Sequence, residues 1–289
     1  MTRPLVLLFL SISPSLHPSI SQEDSLKSLF TSLSDDQKKA ALKSCDDPNR
    51  DAEVFTPGDR PGLLIAKLSG DQLKLLDDAV RAFLSADGYA QAMKVATQSH
   101  KKEGLKAYWL NFFGDPSKDK SWVFRVSEHH FTLVHVTGDP ARFGPILLGA
   151  NPPDLWHDQE DPAIACFKKL TDDEKKRARA GDSSESGRPL GAKGVAIGDL
   201  SDDARKAAAA MIDARLALFS ETQQKKLRAI LEAEGGVAKL RLAFFGDMTK
   251  RCADGGRADW KIEGRSFLCD YESSRAHIHM TLRGAAEKK

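Results

Sequence analysis

His277-Ile-His279 sets two imidazoles two residues apart in a segment that reads as a strand, and residues two apart on a strand share a face. Thr281 and Arg283 continue that face, while Ile278, Met280 and Leu282 make the opposite one apolar. Three more of the eight histidines, His129, His130 and His135, fall in the stretch Trp122 to Val136, the best strand candidate of the chain. Alternation there points His130 and Thr132 away from Phe131 and Leu133, and sends His129 and His135 to the apolar side. Asp270, on the strand before His277, supplies a carboxylate.

A pair of alternate histidines, a third from another strand and a carboxylate suffice for zinc, copper or iron, because all three accept imidazole nitrogen. The expected metal set is His130, His277, His279 and Asp270, holding one zinc or copper ion. The alternative is metal-free: His130, Thr132 and Arg283 line a pocket for a small-molecule or anionic ligand held by charge-assisted hydrogen bonds. Arg283 favours this version, since a guanidinium beside a bare cation is repelled. His100 and His157 stand at a helix end and in a loop without evident partners. The sequence carries no Gly-x-Ser-x-Gly elbow, phosphate-binding Gly-x-x-x-x-Gly-Lys loop, dinucleotide Gly-x-Gly-x-x-Gly or His-Glu-x-x-His.

These residues need a sheet to bring them together. Aromatic and β-branched runs predict strands over 106–113, 121–127, 130–137, 237–245, 258–263, 266–272 and 277–283, with a further apolar strand from Phe143 to Asn151. Amphipathic spacing predicts helices near 24–45, 69–86, 89–103, 171–179, 201–218 and 220–233. Capping boxes open several: Ser34 with Gln37, Ser69 with Gln72, Thr171 with Glu174 and Ser220 with Gln223, while Ser201 keeps only the cap. Phe112-Phe-Gly-Asp115 returns as Phe244-Phe-Gly-Asp247, each time followed by a polar loop, a tryptophan and a hairpin.

The fold class expected is therefore α+β, a tandem pseudo-symmetric repeat of a helical pair followed by an antiparallel β-meander, the two meanders sharing one sheet packed by helices. The halves are 22–153 and 201–289. A connecting helix and a Gly/Ser-rich mobile loop occupy 154–200, and residues 284–289 should fray.

Arg3, the apolar run Leu5 to Leu10 and the small residues around Ser19 to Ser21 have the order of a secretory signal peptide, so residues 1–21 are expected to be removed by cleavage near Ser21. No later stretch approaches the roughly 18 apolar residues of a membrane span, and the mature chain is expected to be secreted or periplasmic. Export would permit disulfides among the four cysteines, Cys252 with Cys269 being the favoured pair, against four free thiols. A net charge of +2, without a basic tract interleaved with aromatics, gives no footprint for nucleic acid.

The stretch Trp122 to Phe131, Gly149-Ala-Asn-Pro152, Phe267-Leu-Cys-Asp-Tyr-Glu272, His277-Ile-His279 and Arg283 together resemble the family called domain of unknown function 3500. The resemblance implies motif positions at His129, His130, His277, His279 and Arg283, and places Asp270 where the family has a glutamate. Glu128 departs from a family glycine, Val134 from a polar residue, and the connection from Glu272 to His277 is shorter. The resemblance implies a shared fold and pocket, and no reaction. The expectation is thus an exported protein with a histidine-rich pocket: a metal-dependent hydrolase or oxidoreductase, or alternatively a non-catalytic ligand-binding or scaffold protein.

Overall fold

A computed structural model describes residues 21–274 and 277–285. The expected signal peptide, except Ser21, and residues 286–289 of the expected frayed end lie outside the described residues.

The chain opens with α1 (Gln22–Ser32) and α2 (Asp35–Ala41), followed by β1 (Leu42–Lys43), β2 (Leu63–Leu64), α3 (Gly70–Phe83) and α4 (Ala86–His100). A meander follows: β3 (Trp109–Phe113), β4 (Val123–Glu128), β5 (Phe131–Val136) and β6 (Arg142–Ala150). Next come α5 (His157–Lys169), α6 (Asp172–Ala178), β7 (Arg179–Gly181), β8 (Val195–Ala196), α7 (Asp202–Leu216) and α8 (Glu221–Ala233). A second meander closes the chain: β9 (Arg241–Phe245), β10 (Asp259–Glu263), β11 (Phe267–Ser274) and β12 (His277–Ala285). The fold is α+β, with eight helices and one mixed sheet of twelve strands among the described residues.

Strand order is β1-β3-β4-β5-β6-β12-β11-β10-β9-β7, with β2 on β3 and β8 on β9. The two meanders therefore meet at one antiparallel seam, β6 against β12, where Gly149 faces His279 and Leu148 faces Met280. Alternation divides each strand between two environments. Phe112, Phe124, Phe131, Leu148, Trp260, Tyr271 and Met280 join Leu29, Leu76, Val95, Ile212 and Leu227 of the helices in one continuous core.

The other face is polar, and two irregular segments strap it down. Arg125 Nη2 donates to the carbonyl of Ala52 at 2.8 Å, which fixes the segment before β2. Lys261 Nζ donates to Glu185 O at 2.9 Å, and Asp270 accepts from Gly187 N at 2.8 Å, which fixes the segment before β8. Lys261 and Asp270 are tolerated this deep because they face each other and are hydrogen-bonded, and the Arg125 guanidinium is met by backbone carbonyls.

Several expectations need correction. The helix expected over 24–45 is two helices, because Ser34 caps α2 with a complete box. Boxes also form at Ser69 and Thr171, but Ser201 and Ser220 make no side-chain cap bond. Within the expected connecting segment, α5 is a helix that capping and spacing patterns do not announce: Pro162 interrupts its pattern, and its N-cap is the left-handed, buried Trp156 in place of a Ser or Thr. The loop expected to be mobile is instead pinned, with Ser184, Ser186 and Leu190 buried. Its contacts run through backbone groups, which leave no side-chain periodicity to read.

All four cysteines are free thiols. Cys252 Sγ donates to Ser274 O at 2.8 Å, whereas Cys269 lies five residues back along β11, about 16 Å away on an extended strand. A disulfide needs Cα atoms within roughly 7 Å. No helix among the described residues is long and apolar enough to cross a membrane.

Candidate metal centre

His129 and His130 form the two-residue turn between β4 and β5. Strand alternation stops at Glu128, so both rings leave the turn toward the same point, and His129 does not join the apolar side expected for it. On β12 the alternation holds, and His277 and His279 share the polar face. The seam carries the two pairs together. His277 Nε2 lies 3.1 Å from His130 Nε2, 3.2 Å from His129 Nε2 and 2.9 Å from His279 Nε2, and His279 Nε2 lies 3.1 Å from His129 Nε2. All four donor atoms fall within 4.8 Å of one another. Nitrogens bound at 2.0–2.1 Å to one tetrahedral ion sit about 3.3 Å apart, close to these separations.

Outward contacts set the ring orientations. His130 Nδ1 is 2.9 Å from Ser99 Oγ on α4. His279 Nδ1 faces Glu272 Oε2 at 3.8 Å, and His129 hydrogen-bonds the backbone of Phe55. Outer partners of this kind hold a metal-ligating histidine in one tautomer. Burial first, then the crowding of neighbouring rings, pulls the pKa of His129 down to about 4 and that of His130 to about 2; His277 shifts the same way. The His129 and His130 imidazoles are thus neutral near pH 7, and the Nε2 atoms of all four rings are directed into one space.

Gly149 makes this approach possible. A Cβ there would stand 2.7 Å from His130 Cδ2, 3.3 Å from His279 Cδ2 and 2.6 Å from Ile278 O. Its carbonyl accepts a 2.8 Å bond from the buried Trp156 indole. Glu128 anchors the histidine turn: it accepts from the His129 amide and from Gly58 N at 3.4 Å, and lies 3.2 Å from His100 Nε2.

Other expected site residues lie apart from the tetrad. The Asp270 carboxylate accepts from Ser186 Oγ at 2.8 Å, Gly187 N at 2.8 Å and Thr281 N at 2.7 Å, with Lys261 Nζ at 3.5 Å, so its oxygens are committed to the strap. Thr132 is buried and donates to Glu128 O at 3.3 Å. Arg283 pairs with Glu53 and donates to Gly187 O at 2.9 Å. His135 packs against Phe83 and Trp122 on the helical face. His100 and His157 do have partners, in Glu128 and in Glu160 at 3.5 Å.

The tetrad borders a cleft of about 590 Å³ between the two straps, walled by Glu53, Phe55, Ser186, Gly187, Glu272 and His279. Phe55 meets His279 edge-on, with ring centroids 5.3 Å apart. Burial works to raise the Glu272 pKa, but the His279 ring and the Ser186 amide outweigh it and hold the carboxyl below its usual value. At Glu53 burial wins over Arg283, and the pKa is raised.

Sequence reasoning assigned His129 to the wrong side and left Gly149, Glu272 and Ser99 without roles. The adjacent His129-His130 pair and the motif Gly149-Ala-Asn-Pro152 were the available signals. Comparison with curated proteins and with solved structures gives no match. A family model does match, over residues 21–287, which takes in both straps, the seam and all four histidines. The chain therefore belongs to the family described as protein of unknown function (DUF3500).

Proposed function

We propose that His129, His130, His277 and His279 hold one divalent transition-metal ion, and that the protein is an exported metal-dependent enzyme, a hydrolase or oxidoreductase. One observation carries this reading: four Nε2 atoms converge while Ser99, Glu272 and the Phe55 backbone occupy the outward sides of three rings. Four imidazole nitrogens this close together form a donor set whose size and spacing match one cation. An all-imidazole set suits zinc, copper and iron. Such an ion supplies Lewis acidity or a redox couple. The chain's own part is to orient the rings, keep them unprotonated and shield them from solvent. The metal-free alternative loses support because Glu53 already neutralises Arg283, its intended anion-binding group.

The reading extends to residues 1–21 as a cleaved leader, for the order of Arg3, the apolar run Leu5 to Leu10 and the small residues around Ser19 to Ser21. We also read 22–153 and 201–289 as copies of one ancestral unit. The recurring Phe-Phe-Gly-Asp supports this, as do the parallel edge pairings of β1 with β3 and β7 with β9.

Elemental analysis of untagged protein tests the metal. About one zinc, copper or iron per chain is expected, absent from His277→Ala/His279→Ala. Native protein that is metal-free and takes up none of these ions at micromolar concentration would refute the proposal.

A further inference from the structure

We infer that the cleft beside His279 admits a small molecule bearing hydroxyl groups on an apolar ring, which lays its apolar face on Phe55 and reaches the metal from the His279 side. This inference rests on the metal reading above. The tetrad is not evenly enclosed: His130 is 3% exposed and His279 9%, His129 and His277 are half-buried, and of the four it is His279 that forms part of the cleft wall. A structural metal site is closed on all sides, whereas a site that serves chemistry keeps an approach open. The approach past His279 leads into a space of about 590 Å³, within the range of small-molecule sites.

The walls select the ligand. Phe55 offers an aromatic surface next to the metal ligand His279. Glu272 offers its carboxyl oxygens as hydrogen-bond acceptors, and Ser186 borders the same space. Three carboxylates, Glu53, Glu185 and Glu272, stand on the cleft wall against one cation, Arg188, and Arg283 behind it is paired with Glu53. That excess of carboxylate disfavours an anion and favours hydroxyl protons. An apolar ring plus acceptors therefore describes a hydroxyl-bearing body better than a phosphate or a carboxylate.

The test uses the full chain loaded with Co(II), whose visible bands report its ligands, titrated with 4-nitrocatechol. Saturable change of the Co(II) bands is expected in the wild type, with at least tenfold weaker binding in Phe55→Ala at equal Co(II) content. 4-Nitroanisole, which lacks the hydroxyls, should leave the bands unchanged. Should Phe55→Ala lose Co(II), Arg188→Trp, at an exposed position of the strap wall, is the second variant, and it too should weaken binding at least tenfold. Wild-type bands indifferent to 4-nitrocatechol overturn the inference and leave the metal reading standing. Equal binding by the wild type and the cleft variant overturns the placement in this cleft. Failure of the wild type to take up Co(II) overturns the metal reading, and the inference with it.

Discussion

His130 Nε2 and His277 Nε2 lie 3.1 Å apart although 147 residues separate them in the chain. Nothing local holds them so close; the β5–β6–β12 register does, with Gly149 against the His130 and His279 rings. Gly149→Ala would insert a methyl at 2.7 Å from His130 Cδ2. We expect metal affinity to fall 10- to 100-fold, as when the outer support of a ligand is disturbed. Chelator competition measures it, and unchanged affinity would mean that the rings do not depend on this close approach.

Glu128 should behave as an anchor of the histidine turn. Glu128→Ala removes the acceptor for the His129 amide and the partner of His100, and should weaken metal binding about tenfold, with Glu128→Gln recovering most of the loss. Equal affinities in all three proteins would show that the turn holds itself.

Acid should destabilise the apo-protein through His135. Burial, then Lys226, lowers its pKa to about 3 from an unfolded value near 6.5. Above pH 6.5 the ring is neutral in both states and its contribution is fully present. As pH falls toward 3, the unfolded chain binds a proton that the folded one refuses, and stability drops by up to about 1.4 kcal/mol per pH unit. Urea denaturation between pH 7 and 4 should show this slope. His135→Leu should reduce it, with His129 and His130, also lowered by burial, supplying what remains; an identical slope in the variant would place the titration elsewhere.

Asp270 is expected to matter for the strap more than for the metal. Asp270→Ala leaves Lys261 buried without its carboxylate and frees Ser186 and Gly187, a loss on the order of 3 kcal/mol. Amide exchange should rise across residues 182–194. Loss of metal without faster exchange would instead make Asp270 part of the centre.

Much of this was legible in the sequence where a period is strict. The His277/His279 face, the apolar partners Ile278, Met280 and Leu282, and most helix and strand positions follow from spacing alone. His129 was not, because a two-residue turn abolishes the alternation used to place it. Gly149 was not, because its meaning depends on which strand faces β6, a non-local fact. Asp270 misled for a related reason: its register put a carboxylate on the right face, but the strap that claims it has no periodic signature.

Each half of the chain donates two of the four nitrogens, so neither half could close the set alone. Ion binding would then act as a clasp across the β6–β12 seam, and its free energy would count toward the folding of the whole sheet. Occupancy would report whether the two ends of the chain have found each other, which makes the metal a sensor of completed assembly as well as a reagent.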